Sequence, residues 1–137
     1  MNQARDILTE KDLTLVLVKG ESVLESGRRG IIPLVEAVKD DWKGADAADA
    51  AVGKAAAYLY CILEAKSLYA KLLSRQAAEI LEEAGISYEY GTMTEYIQNR
   101  DKTGPCPMEK AVEDAESPEQ ALDIIRRKTE EMKVLSR

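Results

Sequence analysis

The sequence contains no histidine among its 137 residues. Histidine is the usual general base near neutral pH, the partner of serine and cysteine nucleophiles, and the commonest metal ligand. Its absence excludes the Ser-His and Cys-His classes of hydrolase and every metal site built on imidazole. Any catalysis by this chain has to rely on carboxylate, amine, phenol or thiol groups.

Cysteine is almost as scarce, since only Cys61 and Cys106 are present. Two thiols are too few for a zinc finger or a disulfide scaffold, and they fit a reducing compartment. The first residues lack an apolar signal segment, and no run approaches the roughly 18 consecutive apolar residues of a membrane span. We therefore expect a cytoplasmic protein with no metal, no cofactor and no membrane association.

Basic residues are outnumbered by acidic ones, 19 against 25, which gives a net charge of −6 at pH 7. Such a chain is not attracted in bulk to nucleic acid or to anionic lipid. With 45% hydrophobic and 32% charged residues, the composition is that of a globular protein. The length predicts a single domain over residues 1–137.

Hydrophobic periodicity predicts a hairpin near the start of the chain. Residues 13–19 form an apolar run of strand length, and Gly20-Glu21 suits a type II′ turn into a second strand at 22–26. Helical spacing then predicts a short helix over 31–38. The alanine-rich segment 45–65 is apolar around its whole circumference, which predicts a long, buried central helix.

The second half of the chain alternates strands and helices. The predicted elements are a strand at 67–73, a helix at 75–84, a strand at 86–90, a helical turn at 92–97, a helix at 107–115 and a final helix from 118. Ser74 is a suitable N-cap and Gly85 a suitable stop for the helix between the two strands, so these strands should be parallel. The order predicts an α/β fold, a three-layer α/β/α sandwich with a mixed sheet.

A stretch of sequence in the last third of the chain resembles a known family. Residues 99–111 read Asn-Arg-Asp-Lys-Thr-Gly-Pro-Cys-Pro-Met-Glu-Lys-Ala. Together with Gly53-Lys54 and the Leu-Tyr-Ala-Lys strand at 68–71, this string resembles an uncharacterised prokaryotic family, domain of unknown function 1893. The resemblance extends over essentially the whole chain. It implies a cytidine deaminase-like fold, and a shared fold does not by itself imply deamination.

Zinc deaminases hold their metal with His-x-Glu or Cys-x-Glu at one helix start and Pro-Cys-x-x-Cys at another. Against the predicted elements, these positions fall at 46–52 and 74–78, and neither ligand set is present there. The string Pro105-Cys106-Pro107 copies part of the second motif, but it lies one element too late and has Glu109 in place of the second cysteine. The resemblance therefore implies a scaffold that has lost its zinc site, so zinc-dependent deamination is not expected.

Several polar residues stand where a ligand would bind. In open α/β sheets, ligands bind beyond the carboxyl ends of the parallel strands. Lys54 is the one charged residue in the apolar body of the predicted central helix, and Gly53 would let a ligand approach the backbone. Lys54 could equally form an ion pair with Asp46 or Asp49. We predict a small anionic or nucleotide-like ligand that contacts Asp49, Gly53, Lys54, Asn99, Arg100 and Glu109.

Two alternatives remain open. Cys106 lies between prolines at a predicted helix N-terminus, where the positive end of the helix dipole favours a thiolate. This favours a zinc-independent enzyme with Cys106 as nucleophile and Asp49 or Glu109 as proton acceptor, although Cys106 also fits a simple cap. The other alternative is an interaction module that works as a homodimer through an apolar helix face.

Overall fold

The fold is that of a computed structural model, which describes residues 2–28, 30–98, 104 and 106–135. Its elements are α1 (Asn2–Glu10), β1 (Leu15–Lys19), β2 (Ser22–Ser26), α2 (Ile32–Ala37), β3 (Asp46–Val52), α3 (Lys54–Leu63), β4 (Ser67–Ser74), α4 (Arg75–Ala84), β5 (Ser87–Thr94), α5 (Pro107–Ala111) and α6 (Pro118–Leu135). The prediction of an α/β fold is confirmed.

Five strands form one mixed sheet in the order β2-β1-β3-β4-β5. Strand β1 is antiparallel to both β2 and β3, whereas β3, β4 and β5 are parallel. The predicted hairpin and the predicted parallel unit around α4 are both confirmed. Because β3, β4 and β5 run in one direction, their carboxyl ends lie at the same edge of the sheet.

The predicted central helix over 45–65 is wrong. Its first part is strand β3, and the helix α3 begins only after Gly53. Alanine favours helix, but β3 lies between β1 and β4, and both Ala47 and Ala48 are fully buried on its two faces. Small side chains let neighbouring layers approach both faces, so tertiary packing overrode helix propensity. Asp49 consequently lies within a strand and not at a helix start.

This extra strand changes the position of every later element. Strand β4 is the fourth strand and not the third, so the segment at 74–78 does not follow the third strand as predicted. The helix after the third strand is α3, and Lys54 lies in its first turn. The predicted helical turn at 92–97 is also wrong, because β5 continues to Thr94, which pairs with Ser74 of β4.

Among the residues that the structure describes, the core consists of two clusters of buried side chains. Leu15 and Leu17 of β1 belong to the large cluster, which includes α3, α4 and α6, whereas Val16 and Val18 belong to a small cluster with α1. Successive strand residues point to opposite faces, so α1 packs on the face opposite to α3. Within the described ranges, no helix is long and apolar enough to cross a membrane.

Candidate functional site

A carboxylate from a distant part of the chain caps the start of α3. Oε1 of Glu109 accepts a hydrogen bond of 2.6 Å from the backbone N–H of Lys54, and Oε2 accepts one of 2.9 Å from the N–H of Ala55. The first amides of a helix have no partner within the helix and carry partial positive charge. Glu109 of α5 therefore supplies the negative charge that this helix start favours.

Gly53 is required by this contact. A Cβ added at Gly53 would overlap the carboxylate of Glu109 and would lie 2.8 Å from Cγ1 of Ile97. The backbone of Gly53 has φ −106°, a value open to any residue, so the requirement comes from close packing and not from conformation. Predicted contact residues Gly53, Lys54 and Glu109 are thus brought together.

The pKa of Glu109 is subject to opposing effects. Burial raises its pKa above the ordinary value of 4.5, while the hydrogen bonds from Ala55 and Lys54 and the charge of Lys54 act in the opposite direction. The ammonium of Lys54 donates a hydrogen bond of 2.8 Å to the carbonyl oxygen of Glu113. Among the described residues, Lys54 forms no ion pair with Asp46 or Asp49, which was the alternative to ligand binding.

Asp49 is half-buried on β3 and has hydrogen-bond partners of its own. Its Oδ2 accepts a hydrogen bond of 2.6 Å from the hydroxyl of Tyr60, and its Oδ1 accepts one of 3.2 Å from the N–H of Ala51. Burial raises the pKa of Asp49 to about 6 and that of Tyr60 well above 10. Sequence reasoning missed Tyr60, although a tyrosine on an otherwise apolar helix signals a hidden hydrogen-bond partner.

Cys106 is the N-cap residue of α5, three residues before Glu109. Its backbone N–H donates a hydrogen bond of 2.8 Å to Ile97, and its half-buried side chain packs against the large core cluster. Asp49 and Glu109 both have other donors, and within the described residues neither is hydrogen-bonded to Cys106. The role of Cys106 as a nucleophile stays a prediction.

Some predicted residues fall elsewhere. Asn99 and Arg100 lie outside the residues that the structure describes. Across the described ranges, the structure has no group of three or more Cys, Asp or Glu side chains suited to a metal ion.

Helix α2 begins at the same edge of the sheet as α3. Ser26, the last residue of β2, pairs with Leu15, and Leu15 pairs with Asp49 near the carboxyl end of β3. The hydroxyl of Thr14 fixes the loop that follows, with hydrogen bonds of 3.0 Å to the carbonyl of Ser26 and 2.6 Å to that of Arg28. The hairpin therefore places the start of α2 at the edge of the sheet where α3 begins.

Comparison with known proteins gives one family. Residues 3–129 match a sequence profile described as TM1506, domain of unknown function (DUF1893). Among solved structures, the fold is similar to a DUF1893 family protein (TM1506) from Thermotoga maritima, with 32% sequence identity and a TM-score of 0.86. The similarity covers 93% of this chain and 88% of that one. None of the curated proteins compared with it matches.

Proposed function

The chain belongs to the DUF1893 family, and from this premise we propose that it is a deaminase-like domain without zinc chemistry. In this proposal it binds a small anionic or nucleotide-like ligand where α3 begins. Two unpaired thiols, Cys61 and Cys106, support a cytoplasmic location.

The order of elements supports the scaffold part of the proposal. A hairpin, β1 and β2, precedes α2, and the third strand precedes α3. Zinc deaminases carry their two ligand motifs at the starts of the corresponding helices. The packing of α1 and α3 against opposite sheet faces supports the expected three-layer α/β/α arrangement.

The residues at these helix starts do not fit a zinc ion. Helix α2 begins with Ile31, Ile32 and Pro33, and α3 begins with Gly53 and Lys54 followed by alanines. Zinc in proteins needs thiolate, imidazole or carboxylate ligands, and neither segment offers one. The proposal therefore includes no metal-bound water and no step that depends on one.

The capping of α3 by Glu109 is the observation that supports binding of an anionic ligand. Two backbone N–H groups at a helix start bind a carboxylate here, and the same pair suits an oxygen of a phosphate. A ligand anion would take the place of Glu109, with Lys54 adding positive charge in the first turn. Asn99 and Arg100, which precede Glu109 in sequence, and Asp49, on the strand that leads to α3, stay proposed contacts.

Thermal unfolding with a ligand panel tests this function. The panel contains inorganic phosphate, sugar phosphates, nucleotides and the matching neutral nucleosides. A phosphate-bearing ligand should raise the Tm of the wild type, by about 2.7 kcal/mol of added stability at 100 times its Kd. Neutral nucleosides should have less effect, because they lack the group that replaces the carboxylate.

Glu109→Ala sharpens the test. Removing the internal carboxylate removes the competitor, so this variant should bind the same phosphate ligands more tightly than the wild type. Glu109→Gln is the second variant if the alanine variant folds poorly. Glu113→Ala is the control, since it keeps the carbonyl that Lys54 contacts and leaves the α3 cap intact. A flat response of wild type and both Glu109 variants to every ligand would refute the proposal.

A further inference from the structure

Strand β5 leaves one edge of the sheet open. It is the last strand in the order β2-β1-β3-β4-β5, and in the described part of the chain its outer side pairs with no other strand. It has eight residues, whereas β2 at the opposite edge has five. A strand of this length presents a row of N–H and C=O groups that can pair with another strand.

This edge lacks the usual protection against pairing. Natural edge strands carry lysine, proline or several charges. Strand β5 reads Ser-Tyr-Glu-Tyr-Gly-Thr-Met-Thr, with Glu89 as its one charged residue. Within the chain, Glu89 forms an ion pair of 3.7 Å with Arg5, whose positive charge partly offsets the carboxylate at this edge. The central part of the strand, from Glu89 to Thr92, is exposed.

We propose that β5 pairs with β5 of a second copy of this chain. The two strands would run antiparallel about a two-fold axis perpendicular to the sheet, and the two five-stranded sheets would become one continuous sheet. Such an axis keeps each sheet face on the same side in both copies, so side chains of one face meet their counterparts. This proposal is independent of the ligand proposed above.

The sequence of β5 is complementary to itself in one register. With Tyr90 opposite Tyr90 of the second copy, Tyr88 lies opposite Thr92 and Glu89 opposite Gly91. Aromatic pairs and aromatic pairs with β-branched residues are favourable across strands, and like charges are kept apart. The neighbouring symmetric register in one direction places Glu89 opposite Glu89 of the second copy. The neighbouring symmetric register in the other direction places Gly91 opposite Gly91.

Exposed aromatic side chains also favour a second copy of this chain as the partner of β5. Tyr90 is 46% exposed although it lies in the middle of a strand, and its ring stacks on Tyr88 with centroids 6.5 Å apart. Pairing would bring two such stacks together at the centre of the interface. A charged partner protein would find one carboxylate to contact on this strand, whereas a second copy places aromatic and β-branched residues opposite each other and keeps like charges apart.

Sedimentation of the full chain over a range of concentrations is the test. We expect the wild type to reach twice its 15.2 kDa, and Tyr90→Lys to stay at 15.2 kDa. The substitution changes an exposed side chain, so the fold is retained, which circular dichroism checks. Tyr96→Lys is the matched control: Tyr96 is 43% exposed but lies outside β5, so this variant should dimerise like the wild type.

Hydrogen exchange locates the interface. Amides of β5 should gain protection as the concentration rises, and amides of β2 should not. A wild type that stays monomeric at every concentration would overturn the proposal. So would a dimer that Tyr90→Lys leaves intact, or a dimer in which β5 gains no protection.

Discussion

The hydroxyl of Tyr60 donates a hydrogen bond of 2.6 Å to Oδ2 of Asp49, and this bond joins α3 to the strand beneath it. Tyr60 is fully buried. Hydrogen bonds from Tyr60, Ala51 and Ala50 lower the pKa of Asp49, but burial outweighs them and raises it to about 6. The ionised form of Asp49 is therefore destabilised in the folded protein relative to the unfolded chain.

Asp49→Asn should stabilise the protein at neutral pH. The pKa of Asp49 is about 6 in the fold and 3.8 ordinarily. Because the folded pKa is the higher one, the fold gains from protonation of Asp49 below pH 3.8 and loses that gain as the pH rises through 6. The full loss is at most about 3 kcal/mol. Urea unfolding at pH 4 and pH 7.5 should show a stability gain in Asp49→Asn that is larger at pH 7.5.

Asp41→Asn is a control for which the effect on stability should have the opposite sign. Hydrogen bonds from Lys19 and Lys43 and the charge of Lys19 lower the pKa of the exposed Asp41 below 3.8. Its stabilising contribution is present at neutral pH and disappears as the pH falls through its folded pKa. This variant should lose a little stability at pH 7.5 and none at low pH. Equal effects of Asp49→Asn at both pH values would contradict our account of Asp49.

Tyr60→Phe should destabilise the protein more at neutral than at acidic pH. The substitution removes the side-chain donor from a buried carboxylate, which costs about 1–3 kcal/mol when the carboxylate is ionised. A double-mutant cycle with Asp49→Asn isolates the coupling between the two side chains. The coupling energy should shrink between pH 7.5 and pH 4. A coupling energy near zero at pH 7.5 would contradict a stabilising hydrogen bond between Tyr60 and Asp49.

Gly53→Ala should destabilise the protein by about 1–3 kcal/mol, because the added methyl group overlaps the carboxylate of Glu109 and forces packed groups apart. In a Glu109→Ala background, much of that cost should disappear. Gly27→Ala is the matched control, since its Cβ would make only an ordinary contact of 3.9 Å with Leu13. Chemical unfolding of the four Gly53 and Glu109 combinations measures the effect. Equal costs of Gly53→Ala in both backgrounds would mean that Glu109 does not impose the glycine.

Local sequence signals predicted those parts of the fold that local physics decides. Strand β2 and helix α4 have the predicted bounds, because a glycine turn and a serine cap mark them. The segment 45–65 could not be divided in the same way. Its alanines satisfy a helix equally well, and the neighbours that make β3 a strand, β1 and β4, lie far away in sequence.

The candidate site shows the same limit. Gly53, Lys54 and Glu109 were singled out for their unusual residue types, and they do lie together. Their actual relationship, a carboxylate on the amides of Lys54 and Ala55, joins residues more than fifty positions apart. No periodicity or spacing encodes such a contact, because it depends on where α5 packs. Only the fold reveals that the hydroxyl of Tyr60 donates a hydrogen bond to Asp49.

Lys54→Met and Glu109→Gln should differ clearly in stability. The ammonium of Lys54 is partly exposed, donates one hydrogen bond to a backbone carbonyl and lies 5.9 Å from the centre of the Tyr58 ring, so its loss should cost about 1 kcal/mol. Glu109→Gln leaves one acceptor oxygen and turns an amide NH₂ toward a backbone N–H of α3. Because a charge-assisted bond to a partly buried amide is lost, we expect a cost of about 2 kcal/mol.

Glu113→Gln is the control for this comparison, because the exposed side chain of Glu113 takes no part in the cap and its carbonyl is unchanged. Urea unfolding at pH 7.5 measures all three variants under one condition. The expected order of stability places Glu113→Gln nearest to the wild type, Lys54→Met next and Glu109→Gln last. If Lys54→Met proves as costly as Glu109→Gln, the carboxylate is not the dominant contact between α5 and α3, and the anion site at α3 loses its support.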